Sequence, residues 1–300
     1  MASKLSFAGI EILSSGVKWV LLDSKKKVER LGFIPVENDI EKAMESVAHL
    51  IKKSIGISRK NLKVAISLPQ KSLLVKKTIV PINIENVKEY VEWDVLNYLG
   101  EETSDDFVIK YQFDNFSSSQ VKAVAHCVAV RKSEIQQYIG QIEKAEFFVD
   151  IMDVDVFSLM NACELSHSTI PKAFIVRAER DGVYWIGIED SRLQSFSMSE
   201  GVDPNNTSEM NQFVVAFQAQ LNDLAKGQDI PFYLCGQLVG DLEKAKFQTE
   251  QNVIFLNPLQ NAEKADKKQV IPESLGMTCA NSYALALRAY EDFLGGGVNL

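Results

Sequence analysis

One pattern of strands occurs twice in this chain. Leu5–Leu13, Val17–Asp23 and Val28–Pro35 are strand-like runs joined by Ser14-Ser15-Gly16 and by Ser24–Lys27. Ala173–Arg177, Val183–Glu189 and Arg192–Met198 repeat the arrangement in the second half, around the turn Arg180-Asp181-Gly182. Short apolar runs punctuated by turn residues predict antiparallel meanders. After the first meander, Met44, Val47, Leu50 and Ile51 share one face of a helix over Glu41–Ile55 that is capped by Gly56. Leu62–Leu68 then predicts a strand buried on both faces and closed by Pro69. The second meander is followed by a helix over Asn211–Leu224, short strands over Phe232–Cys235 and Val253–Leu256, and a helix over Cys279–Leu294 stopped by Gly295-Gly296-Gly297. A fold of two α/β halves follows, each a meander extended by crossover helices.

The segment between the halves has its own character. It predicts a strand over Val75–Pro81, a helix over Ile84–Leu99, strands over Phe107–Phe116 and Val121–Arg131, and a helix over Ser133–Lys144. Ile84, Val87, Val91, Val95 and Tyr98 fall on one stripe of its first helix, and Trp93 falls opposite them. A tryptophan on the polar face marks either a partner surface or packing on a neighbouring subdomain. The expected division is a first subdomain over 1–75 with a linking helix within 151–170, an inserted α+β subdomain over 76–150, and a second domain over 171–300.

The first turn bears on chemistry. Glu11-Ile12-Leu13-Ser14-Ser15-Gly16-Val17-Lys18 has the form of a phosphate-gripping hairpin, but Leu13 stands where close backbone approach to a phosphate requires glycine. A net charge of −8 argues against a nucleic-acid surface, and Lys25-Lys26-Lys27 suits a solvated turn. Cys127, Cys163, Cys235 and Cys279 are scattered without metal spacing and fit buried thiols of a reducing compartment. Asp150, Asp153 and Asp155 suit a helix N-cap and turn, and no metal site is assigned. No run approaches the ~20 apolar residues of a bilayer-crossing helix and none has the continuous core of a signal peptide, so direct membrane insertion and secretion are not expected. His49, His126 and His167 sit in a helix, a strand and a loop without a nucleophile elbow, so no catalytic residue is assigned.

Taken in order, several stretches resemble the PilM family of type IV pilus assembly proteins, actin-like relatives of the division protein FtsA. They are Gly9–Lys18, Val64–Pro69, Thr78–Pro81 with Glu85–Tyr98, Asp153–Phe157 and Ser282–Leu287. The resemblance implies an α/β, actin-like (ribonuclease H-like) fold of two domains, with the inserted subdomain and a reduced second domain. Only Glu200–Met210 stands where the family carries an outer wall of the nucleotide cleft. By the same resemblance Glu11, Ser14, Ser15, Gly16, Lys18, Arg177 and Gly236 mark a degenerate nucleotide site. Glu11 and Leu13 replace the family's Asp and Gly, and Arg177 and Glu179 replace an acid and a glycine of the second phosphate loop. Arg177 would repel magnesium and Glu179 phosphate.

These departures imply a pseudo-ATPase without a cofactor, acting as a cytoplasmic scaffold of a type IV pilus or related secretion machine. The resemblance also implies a partner, a PilN-like inner-membrane protein that holds the scaffold at the membrane through a short cytoplasmic peptide. Val64, Ile66 and Leu68, with Tyr90 and Trp93, are the expected partner groove, where a peptide adds to a strand edge. Val298-Asn299-Leu300 resembles the core of such a peptide, by chance or as a tail that fills the groove of its own or a neighbouring molecule. Homo-oligomers are compatible with this reading. The alternative is an actin-like ATPase in which Ser14, Ser15 and Lys18 still hold phosphates and Glu11 reaches magnesium, whereas a sugar kinase finds no sugar-binding signature.

Overall fold

A computed structural model describes residues 5–36, 39–55, 61–68, 73–81, 83–101, 103–113, 122–167, 170–245, 247 and 249–290. Gly56, Pro69, the ends of the strands around residues 114–121, Gly295-Gly296-Gly297 and the tail Val298-Asn299-Leu300 lie outside the described residues.

The predicted repeat becomes two sheets of matching order. In the first, β1 (Ser6–Leu13), β2 (Gly16–Leu22) and β3 (Val28–Pro35) form the antiparallel meander, and β4 (Leu62–Leu68) and β8 (Ile151–Val154) extend β1 in parallel, giving the order β3-β2-β1-β4-β8. In the second, β9 (Lys172–Glu179), β10 (Gly182–Glu189) and β11 (Arg192–Ser199) form the meander, and β12 (Phe232–Cys235) and β13 (Val253–Phe255) extend β9, giving the order β11-β10-β9-β12-β13. The inserted strands β5 (Leu73–Pro81), β6 (Phe107–Phe113) and β7 (Lys122–Arg131) make a separate antiparallel sheet in the order β5-β7-β6.

Helices cover these sheets where apolar stripes demand it. α1 (Ile40–Ile55) lies on β2 and β3, burying Met44, Val47 and Ile51. α2 (Val87–Leu99) lies on β5 and β7, and α3 (Lys132–Lys144) packs against α1 and β7. α4 (Asp155–Ser166) covers the inner face of the second sheet, α8 (Ala280–Tyr290) covers that of the first, and the two helices pack on each other. α5 (Thr207–Ala225) closes the outer face of the second sheet with Phe217 and Leu221, starting from the Asn206 cap seven residues after β11. Two six-residue helices, α6 (Val239–Lys244) and α7 (Glu273–Thr278), were not predicted, being too short for a periodic stripe. The approach of α8 to β1 requires glycine, because a Cβ on Gly9 would lie 2.0 Å from the Ser282 carbonyl oxygen and 2.4 Å from the Ala286 nitrogen.

Three expectations are corrected. The first helix of the insert begins at Val87, capped by the Asn86 side chain, rather than at Ile84. Its buried face is only Val91 and Val95, and Tyr98 is 65% exposed, with the ammonium of Lys76 on β5 5.2 Å from the Tyr98 ring centre. Neither Asp153 nor Asp155 caps α4, whose N-cap is Val154 without a side-chain bond. Asp153 instead accepts the Val154 N–H at 2.7 Å and lies 3.7 Å from Arg288.

Asp153 is fully enclosed, and burial pushes its carboxyl up to about 6 despite the Val154 N–H and Arg288. The native state therefore binds this proton more tightly than the unfolded chain does. Stability from Asp153 is complete below an ordinary carboxyl pKa and is lost as pH rises through about 6. Denaturant midpoints from pH 4 to 7 should show that contribution declining in the wild type and absent in Asp153→Asn. Parallel curves would mean that Asp153 does not titrate in this range.

Candidate functional site

The turn Glu11–Lys18 lies where the two sheets face each other. Residues from both are drawn into one buried charge cluster. Alternation along β1 and β2 aims Glu11 and Lys18, directly paired across the hairpin, to the same side. Alternation along β9 does the same for Arg177 and Glu179, and α4 supplies Asp155 at its first turn. Arg177 pairs through Nη1 with Asp155 at 2.9 Å, through Nε with Glu179 at 2.9 Å, and through Nη2 with Glu11. Lys18 pairs with Glu179 and lies 3.7 Å from the other oxygen of Glu11. All five side chains are at most 3% exposed.

Polar neighbours complete the cluster. Asn281 of α8 donates to Glu11 at 2.7 Å and to Ser67 at 3.3 Å, and Ser158 of α4 donates to the Asn281 carbonyl oxygen. The Tyr184 ring lies 5.2 Å from the Arg177 guanidinium. At the rim the two meander turns touch: Ser14 donates to Asp181 at 3.0 Å and Ser15 to Gln237 at 3.0 Å. The Gln237 N–H donates to Glu179 at 3.3 Å, and Gly236 before it has φ +108, with room for no Cβ because the Ala178 carbonyl oxygen would be 2.3 Å away.

Burial works against the charges of Glu179 and Arg177 and is outweighed. For Glu179, desolvation is overcome by Lys18 and Arg177, which hold the carboxyl below its ordinary value. For Arg177, desolvation is overcome by Glu11, Glu179 and Asp155, which hold it well above its own. Three carboxylates against two cations leave the cluster at −1. Lys18, the cation that a phosphate would need, is engaged by Glu179 and faces Glu11.

Six of the seven predicted cleft residues are thus brought together. Glu11, Lys18 and Arg177 form the cluster, Ser14, Ser15 and Gly236 its rim, and Gly16 instead packs on Phe33, whose ring would lie 2.2 Å from a Cβ. Glu179 and Asp155 are the residues whose pairing sequence reasoning missed: Glu179 is read there only as repelling phosphate, and Asp155, expected as a cap, does not cap α4. Their signal was complementarity, since acids and Arg177 placed around one cleft can pair with one another.

The predicted partner set divides. Val64, Ile66 and Leu68 are core residues of the same cluster as the buried side of α1, and β4 is hydrogen-bonded to β1 on one side and β8 on the other, so it offers no edge for an added peptide. Their apolar alternation marks a central strand. Tyr90 and Trp93 lie elsewhere, on α2 of the small sheet. Trp93 is 59% exposed, its ring centre 5.9 Å from that of Tyr90, whose hydroxyl donates to the Ile79 carbonyl at 3.4 Å. Ile79 is also exposed, and its strand β5 is an edge of that sheet. Among the described residues no group of His, Cys, Asp and Glu is arranged to hold a metal, and no helix is long and apolar enough to cross a membrane.

Comparison with known proteins agrees with this architecture. A family model described as type IV pilus assembly protein PilM matches residues 9–192. Among solved structures, a PilM–PilN type IV pilus biogenesis complex superposes with a TM-score of 0.73 at 16% identity, covering 95% of this chain and 98% of that one. A Bacteroides thetaiotaomicron protein of actin-like ATPase fold and unknown function superposes with a TM-score of 0.50 at 14% identity, covering 86% and 93%. At these identities the superpositions establish the actin-like fold. No curated protein matches the sequence.

Proposed function

Because the chain belongs to the PilM family of type IV pilus assembly proteins, we propose that it is a non-catalytic scaffold of such a machine, working on the cytoplasmic side without nucleotide. The observation that carries this reading is the buried cluster of Glu11, Lys18, Asp155, Arg177 and Glu179. A phosphate entering there would have to take Lys18 from Glu179 and approach a pocket already at −1, so the residues present do not suit ATP with magnesium. Each carboxylate of the cluster engages a cation, and Asp181 at its rim accepts the Ser14 hydroxyl.

The partner in this reading is a PilN-like inner-membrane protein, as in the solved PilM–PilN complex. Its cytoplasmic peptide docks beside Tyr90, Trp93 and Ile79. An extended segment would pair with the edge of β5, whereas β4 has none to give.

Calorimetric titration with ATP and magnesium tests the first half of the proposal. No heat and no thermal shift are expected in wild type or Lys18→Ala. Micromolar binding that Lys18→Ala abolishes would instead establish a working nucleotide site and revive the ATPase reading.

A further inference from the structure

Among the described residues, no strand of the first sheet pairs with a strand of the second. At the cleft their walls are joined by side chains. Glu11 and Lys18 belong to the first sheet, Arg177 and Glu179 to the second, and Asp155 to the helix that covers the second sheet. Two pairs cross directly between sheets, Lys18 with Glu179 and Arg177 with Glu11, and the rim bonds Ser14 to Asp181 and Ser15 to Gln237 cross beside them. A ligand that touches both walls of a cleft favours the closed arrangement in proportion to its concentration and affinity. Side chains built into both walls act at all times.

We propose that this cluster is an internal clasp that fixes the angle between the two halves, so that closure depends on no nucleotide. The inference rests on the nucleotide-free reading of the cleft and extends it to regulation. Arg177 is the centre of the clasp because it alone contacts Glu11, Glu179 and Asp155 together. Without it, three carboxylates face one another across the two walls with Lys18 as the remaining cation, in surroundings where burial strengthens their repulsion. With it, the charges hold one arrangement, and a buried polar network of this kind tends to specify a single geometry rather than add stability.

Pulsed dipolar spectroscopy between spin labels at Glu45→Cys on α1 and Asp223→Cys on α5 reads the angle. Both positions are exposed, and the four native thiols are buried from the label. The expected result is one narrow distance distribution, unchanged by ATP with magnesium, and a second, longer population in Arg177→Met. If Arg177→Met does not fold, the charge-paired variant Lys18→Met with Glu179→Gln should show the longer population instead. A variant distribution identical to wild type would overturn the clasp. A broad wild-type distribution that ATP leaves unchanged would overturn the clasp and leave the nucleotide-free reading standing. A wild-type distribution that narrows only on adding ATP would overturn both.

Discussion

Arg177→Met should lower the unfolding free energy by about 3–5 kcal/mol, the cost of breaking a buried ion pair by removing one partner. For a chain of this size that corresponds to a fall in Tm of roughly 10 °C. The sign of the net charge decides which partner matters most. Removing Arg177 takes the cluster from −1 to −2 and removes the guanidinium that pairs with Asp155, whereas Glu11→Gln takes it to zero and keeps the Asn281 bond to the side chain available. Glu11→Gln should therefore cost much less than Arg177→Met, and the ordering, read from parallel thermal melts, is the critical result. Equal costs would mean that the cluster behaves as independent pairs, and no loss in Arg177→Met would remove the cluster from the account of the fold.

Trp93→Ala should weaken binding of the PilN-like peptide by about 2 kcal/mol, roughly thirtyfold, the scale of an aromatic hot spot. Its stability should not change, because the ring is 59% exposed and the helix is anchored by Val91 and Val95. Fluorescence anisotropy with a labelled peptide gives the affinity. Ile66→Ala serves as the contrast: Ile66 lies in the core of the first sheet, so that change should cost about 2–5 kcal/mol of stability while leaving the docking surface intact. Affinity that survives Trp93→Ala in a folded protein would move the peptide site away from α2.

The meanders were legible because their cues are local. Ser14-Ser15-Gly16 and Arg180-Asp181-Gly182 mark turns within a few residues of the strands they join. What the sequence could not display is set by neighbours distant along the chain. Leu62–Leu68 is apolar whether it lies at the centre of a sheet or at an edge, and only the pairing of β8 decides which. Lys18 and Glu179 meet across 161 positions, so Glu179 looked like a lost glycine until the opposite wall was in place. Tyr98 keeps the helical stripe but is exposed, its ring beside Lys76 of β5 rather than in the core.

The contact between Gly9 and α8 also orders events in time. The inner face of the first sheet, with Phe7, Val20, Leu22 and Ala65, is covered by a helix that ends at Tyr290. During synthesis β1 and β2 emerge before every other strand and helix described, yet this face stays wet until α8 has been made. The small sheet and its helix, built from neighbours in sequence, can form long before. Translation past Tyr290 is thus the step that lets the first half close its core, and a nascent chain stalled before it carries an uncovered apolar surface suited to a chaperone.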